Sequence, residues 1–240
     1  MILSLEIKKL KRTGFITTFL AGGIMAALIP VLDMAFRFEN YAGLNIEPLQ
    51  IILGADWQMM SMLNILLVLV GACIMYHIEN ADKGIEKMRT LPMKESRAFL
   101  AKFFLLVIIT AVVFIIEMAG VSFISIYWFS IDWTLGRELA KNFSYMFLMI
   151  IPSIGFSLLI ASICSNMWVS LGIGVLCVFI ATLVPTAKFI LSIFPFAMPF
   201  QMLQSVNSSL ITSYCVAACI ETVLALIGEA IYLKGRRSLQ

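Results

Sequence analysis

The chain has one histidine in 240 residues, charge at only 13% of positions, and none of the common nucleotide or hydrolase motifs. Each absence closes a class of function. His77 stands beside Tyr76 and Glu79 with no Cys/His cluster in the neighbouring sequence, so it reads as an interface residue rather than a metal ligand. No GxxxxGK[ST] stretch occurs, which removes the phosphate-cradling loop of a P-loop ATPase; energy from ATP would have to come from another chain. HExxH and GxSxG are missing too, against the zinc-protease and serine-hydrolase plans. Cysteine is present but poorly placed for outer disulfides. Cys73, Cys164, Cys177, Cys215 and Cys219 lie in or beside apolar runs and read as small packing residues.

What remains is apolar. Hydrophobic residues make up 61% of the chain and mean hydropathy is +1.00, leaving too little polar surface for a soluble globule of this length. Six runs can cross about 30 Å of hydrocarbon at about 1.5 Å per residue. They lie near 14–36, 57–78, 103–127, 143–163, 168–187 and 212–233. The predicted class is all-α: a polytopic membrane protein with six transmembrane helices in a single domain, residues 1–240. The first run continues through Pro30 for a full span, so it is expected to be retained rather than cleaved as a signal peptide.

Basic residues are distributed unevenly. Lys8, Lys9, Lys11 and Arg12 precede the first run, Lys83, Lys87, Arg89, Lys94, Arg97 and Lys102 lie between the second and third, and Lys234, Arg236 and Arg237 follow the sixth. Arg37, Arg137, Lys141 and Lys188 fall on the other side. This asymmetry predicts both termini in the cytoplasm of a multi-pass protein, and it explains the basic residues without any nucleic acid. The opposite connections carry Asp33, Glu39, Glu47, Asp56, Asp132 and Glu138, an acidic excess that suits either a cationic solute or simple solubility.

The connections differ in character. Residues 2–12, ILSLEIKKLKR, predict a short interfacial helix with its apolar face toward the membrane and its lysines toward anionic headgroups. After the second run, NADKGIEKM reads as an amphipathic helical turn with Ile85 and Met88 three apart, broken at Leu91-Pro92. The third span restarts near Ser96 as a cap, with Arg97 and Lys102 expected at the water interface. CSNMW permits only a tight hairpin, and 37–56 is the longest outer connection. Residues 189–203, FILSIFPFAMPFQML, are apolar but too short between Pro195 and Pro199 to span. A pair of short re-entrant or interfacial helices accounts for them, shielded by protein or water rather than lipid; misassignment of a longer fifth helix is the competing explanation. Pro30 and Pro152 lie inside spans and favour kinks.

Three carboxylates fall within spans. Glu117 lies about 22 Å along an ideal helix from Lys102, and Glu221 roughly 14 Å inward from the start of the last span. Because those two spans run oppositely, both acids can reach similar depth, where a lipid-facing carboxylate is costly. Glu117 and Glu221 therefore either line a polar substrate pathway or fix helix packing through buried hydrogen bonds. Glu229, near the cytoplasmic interface, is expected to pair with terminal basic groups.

The stretches ILSLEIKKLKRTGF and YHIENADKGIEKMRTLPMKESRAFLAKF, with the six spans, resemble the permease subunits of ABC-2 type exporters over nearly the whole chain. Within that group they are most similar to small permeases of lantibiotic immunity and bacitracin-type resistance in Gram-positive bacteria. The resemblance implies that residues 2–12 form an elbow helix and that 189–203 form re-entrant helices. It also implies that the segment from Glu79 to Arg97 couples to an ATPase, through Glu79, Asp82, Lys83, Ile85, Glu86, Lys87, Met88, Arg89 and Arg97. The implied partners are two separate ABC ATP-binding subunits holding ATP and Mg, a second copy or a related permease, membrane lipids, and an amphiphilic peptide substrate; this chain itself carries no cofactor and no catalytic residue. The implied setting is the bacterial cell membrane. A permease for another drug, lipid or polysaccharide precursor stays open, as do a non-transport scaffold or sensor and, third, a membrane-embedded enzyme.

Overall fold

The structure, a computed structural model, describes residues 2–11, 13–41, 48–80, 95–128, 133–183, 189–204, 206 and 208–238. Its elements in chain order are α1 (Ile2–Leu10), α2 (Phe15–Tyr41), α3 (Pro48–Asn80), α4 (Glu95–Trp128), α5 (Trp133–Ile163), α6 (Met167–Leu183), α7 (Phe189–Ser192), a 3-10 turn (Met198–Phe200) and α8 (Ser208–Ser238). Helix is the expected outcome for these runs, because in hydrocarbon every backbone N–H and C=O must be satisfied within the segment.

Five helices are long and apolar enough to cross a membrane: Phe15–Glu39, Leu49–Glu79, Ser96–Trp128, Gly136–Ile163 and Ser209–Gly235. The sixth apolar helix, Met167–Leu183, has 17 residues and is shorter than these. Helices extend past the apolar runs from which they were predicted, since hydropathy marks the part in hydrocarbon while the backbone ladder continues into the polar interface. The expected 37–56 connection shrinks accordingly: Asp33, Arg37 and Glu39 lie on α2, and Asp56 lies inside α3. Pro30 and Pro152 sit within continuous helices.

α3 is the centre of the bundle, touching α2, α4, α5, α6 and the 3-10 turn, while α8 packs chiefly on α5. Ile65, Val68, Leu69 and Ala72 on α3 are buried with Phe19 of α2, Leu106 of α4 and Ile150 of α5. The outward surfaces stay apolar, with Ile115, Trp168, Leu176 and Ile231 exposed, as a lipid-facing bundle requires. Small residues set the closest approaches. A Cβ on Gly71 would stand 2.6 Å from the Phe19 ring and 2.9 Å from Leu106, and both neighbours are themselves buried.

Tight corners join the helices. Gly14, between α1 and α2, has φ of 72°, a left-handed conformation that favours glycine. Its carbonyl accepts from the Thr18 amide at 2.9 Å and from the Thr17 hydroxyl at 2.6 Å. Between α5 and α6, Asn166 Oδ1 accepts from the Trp168 amide at 2.9 Å, an N-cap that completes the expected hairpin. All five cysteines are free thiols.

Residues 189–201 form two short helical pieces tucked against α3, α5 and α8. Ser61 of α3 donates to the Pro199 carbonyl at 2.8 Å, Ser153 of α5 donates to the Pro195 carbonyl at 2.7 Å, and Ser192 bonds Tyr214 of α8 at 2.7 Å. Phe196, Ala197, Met198 and Pro199 are buried. Ser61 lies about 18 Å along α3 from the start of its apolar span, so these hydroxyls supply bonds that irregular backbone would otherwise lack at that depth.

Gly71→Ala is expected to cost about 1–3 kcal/mol by overpacking the α2–α3–α4 contact. Gly54→Ala, where an added Cβ meets nothing within 4 Å, is the control and should stay within about 0.5 kcal/mol. Thermal unfolding of both variants in one detergent checks the pair.

Candidate functional site

Helix α1 carries a single acid, Glu6, among its lysines, and that acid turns inward. Lys9, one helical turn on, donates to Glu6 Oε1 at 2.8 Å and to Glu79 Oε1, at the end of α3, at 3.1 Å. Lys102, two turns into α4, donates to the same Glu79 oxygen at 2.7 Å and lies 4.0 Å from Glu6 Oε2. Its ammonium also stands 5.0 Å from the centroid of the Tyr76 ring, within cation–π range. Among the described residues, two acids and two bases from three helices thus meet, with Glu6, Glu79 and Lys102 buried.

Two expectations are corrected here. Lys102 is 1% exposed rather than at the water interface, because Glu79 and Glu6 offer its charge a better partner than partial solvation. Lys9 points into the cluster instead of toward headgroups, while Lys8 remains exposed. Burial pulls the Lys9 pKa down, but its bonds to Glu6 and Glu79 outweigh that and hold it above the ordinary 10.5. A raised lysine contributes stability that is fully present below its ordinary value and lost as pH climbs through the raised one, so this contact is intact at neutral pH.

The cluster sits at the base of the connection between α3 and α4. Glu79 closes the α3 side, and Arg97, on the α4 side, is exposed to solvent. Asp82, Lys83, Ile85, Glu86, Lys87, Met88 and Arg89 lie outside the described residues. α4 begins at Glu95, which puts Ser96 inside its first turn. Glu6 was missed as a site residue; its signal in the sequence was its isolation, one carboxylate in a basic, amphipathic helix.

Glu117 and Glu221 have different surroundings. Glu117, fully buried on α4, accepts from Asn64 Nδ2 of α3 at 3.0 Å, while its Oε1 has no hydrogen-bond partner among the described residues. Glu221, on α8, is 9% exposed and its Oε2 has no such partner. No described hydrogen bond joins the two acids. Nearer the other end of α8, Glu229 accepts from Ser162 of α5 at 2.5 Å. Among the described residues, no group of three or more His, Cys, Asp or Glu could hold a metal ion.

A bundle of membrane-length helices, with an amphipathic N-terminal helix locked by charge to α3 and α4, defines an all-α polytopic membrane protein. The chain belongs to the ABC-2 family transporter proteins, whose family pattern matches residues 2–181, from α1 to within α6. ABC-2 permeases generally function with separate ATP-binding subunits, and the family is a non-catalytic one. Neither the curated proteins nor the solved structures compared with the chain gave a match.

Lys102→Ala, which leaves Glu79 and Glu6 sharing one lysine, should destabilise the protein by about 3–5 kcal/mol. The neutral pair Glu79→Gln with Lys102→Met should recover most of that loss, because replacing both partners of a buried ion pair is often close to neutral. Thermal unfolding of the single and double variants in matched micelles provides the comparison.

Proposed function

We propose that this chain is the membrane-spanning subunit of an ATP-driven exporter and that the Glu6–Lys9–Glu79–Lys102 cluster is the base on which its ATPase contact is mounted. The supporting observation is that one buried oxygen, Glu79 Oε1, accepts from α1 and α4 together. A push on the α3–α4 connection then cannot be absorbed by bending at its root; it moves α1, α3 and α4 as one body. On this reading Glu79, Asp82, Lys83, Ile85, Glu86, Lys87, Met88, Arg89 and Arg97 form the contact with the ATP-binding subunit, and no covalent chemistry occurs in this chain.

The rest of the assembly follows from the same reading. Residues 1–240 form one permease domain, α6 crosses as a sixth span, and both termini face the cytoplasm of a bacterial cell membrane. Two such permeases, identical or related, join two ATPases that carry ATP and Mg. The substrate is an amphiphilic, cationic antimicrobial peptide of the lantibiotic type, expelled from the membrane toward the acidic outer face to give immunity or resistance. Glu117 and Glu221 contact it along the path: each keeps a carboxylate oxygen without a hydrogen-bond partner among the described residues, which is what a polar solute group would complete.

Two experiments test this. The complex purified with its ATP-binding chain should show peptide-stimulated, vanadate-sensitive hydrolysis, and Glu79→Gln should lower that stimulation roughly tenfold while basal hydrolysis persists. Purification without any ATP-binding chain, or transport by the permease alone, would sink the proposal. For the pathway, Glu117→Gln and Glu221→Gln at normal expression should restore peptide susceptibility to a resistant strain. Unchanged resistance in both variants would remove the acids from the path, and vesicle transport of a drug, lipid or glycan precursor in place of peptide would reassign the substrate.

A further inference from the structure

At the end of the bundle remote from α1, an open pocket of about 460 Å³ lies between the last turns of α2 and the first turns of α3. Its polar wall contains two carboxylates, and they are not equivalent. Both oxygens of Asp33 are engaged: Oδ2 accepts from the Tyr41 hydroxyl at 2.7 Å and Oδ1 pairs with Arg37 Nη1 at 3.2 Å. Asp56 lines the same pocket, is 4% exposed, and its Oδ2 has no hydrogen-bond partner among the described residues. Among the described residues that line the pocket, Arg37 is the single cation, so two carboxylates face one guanidinium. A buried, unpaired carboxylate is costly unless something cationic completes it.

The surroundings narrow the ligand. Arg37 keeps a two-thirds exposed side chain at the mouth, so the pocket offers a cationic rim as well as an anionic floor. Leu32, Phe36 and Met59 in its wall are all at least half exposed, with Phe36 at 83%. Asp33 lies six residues inside the Glu39 end of one apolar span and Asp56 seven residues inside the Leu49 end of the next, so both sit about 9–10 Å below the span ends. That is close to the depth at which headgroups meet acyl chains. A ligand matching this arrangement has an ammonium for Asp56, an adjacent phosphate for Arg37, and hydrocarbon for the exposed apolar wall.

We infer that this pocket is a lipid-headgroup site for a phosphoethanolamine amphiphile, with the primary ammonium on Asp56 and the phosphate on Arg37. The ammonium must carry an N–H, as a primary one does, because a trimethylammonium has none to donate to the unpartnered carboxylate. The site tethers one lipid between α2 and α3 and so stabilises their outer packing, whichever solute the permease exports.

The test compares lipids bound to the purified full-length protein after exchange into mixed micelles holding phosphatidylethanolamine, phosphatidylcholine and phosphatidylglycerol in equal amounts. Native mass spectrometry counts the bound lipids, and thermal shift reports the stabilisation each one gives. Phosphatidylethanolamine should be enriched about tenfold over the other two, the worth of one charge-assisted hydrogen bond. Asp56→Asn should abolish that enrichment, and Arg37→Gln, an exposed change that leaves folding intact, should weaken it. Equal retention of the three lipids, enrichment that survives both substitutions, or occupation by an amphiphilic cationic peptide with no response to phosphatidylethanolamine would each overturn the assignment.

Discussion

A single carboxylate oxygen, Glu79 Oε1, shared between Lys9 and Lys102, is the contact on which the arrangement of this protein depends. It lies where three helices meet and is withdrawn from water, so its bonds are poorly screened and its loss would leave charges stranded. The remainder of the bundle is joined largely by dispersion and close packing, which hold helices together but specify register weakly. Here a directional, charge-assisted contact pins α1 against α3 and α4 at one relative height. Gly14, turning sharply between α1 and α2, extends that constraint into the second helix.

A second constraint is the requirement to satisfy backbone polar groups far from water. The segment from Phe189 to Gln201 contains two prolines and little regular structure. It is accommodated because Ser61 and Ser153, on neighbouring helices, each donate to a proline carbonyl. The two regions therefore use different chemistry, neutral hydroxyl-to-carbonyl bonds around this segment and a compensated charge cluster where α1, α3 and α4 meet. The hydroxyl bonds can be exchanged at a smaller energetic cost than the ion pairs, since neutral hydrogen bonds are worth less than charge-assisted ones.

Much of the architecture could be read from the residues. Long apolar runs leave little alternative to membrane helices; five of the six expected spans are helices of crossing length, while the run near 168–187 forms the shorter 17-residue α6. The amphipathic pattern of ILSLEIKKLKR announced α1, and the shortness of CSNMW announced a hairpin, whose asparagine cap only the structure revealed. Lys102 illustrates where such reading stops. A lysine eight residues into a helix that starts at Glu95 looks like a snorkelling interface residue, and nothing local says otherwise. Its burial depends on Glu79, 23 residues earlier, and on Glu6, which belongs to another helix altogether. Asp56 was misplaced for a related reason: a polar residue near the end of an apolar run looks like loop, although the helix had already begun at Pro48.

The sequence by itself determined that the chain is a membrane bundle, where its crossings lie, which connection is rich in charge, and that it lacks a nucleotide-binding loop of its own. These follow from composition and one-dimensional spacing, because the cost of placing polar groups in hydrocarbon acts residue by residue. Tertiary structure alone decided which charges pair, that Glu117 hydrogen-bonds Asn64, and that both Asp33 oxygens are engaged while Asp56 Oδ2 has no partner among the described residues. Those outcomes depend on how helices distant in sequence are rotated and set in height against one another. That alignment is fixed by side-chain packing, such as the fit of Phe19 and Leu106 around Gly71, which no stretch of sequence encodes locally.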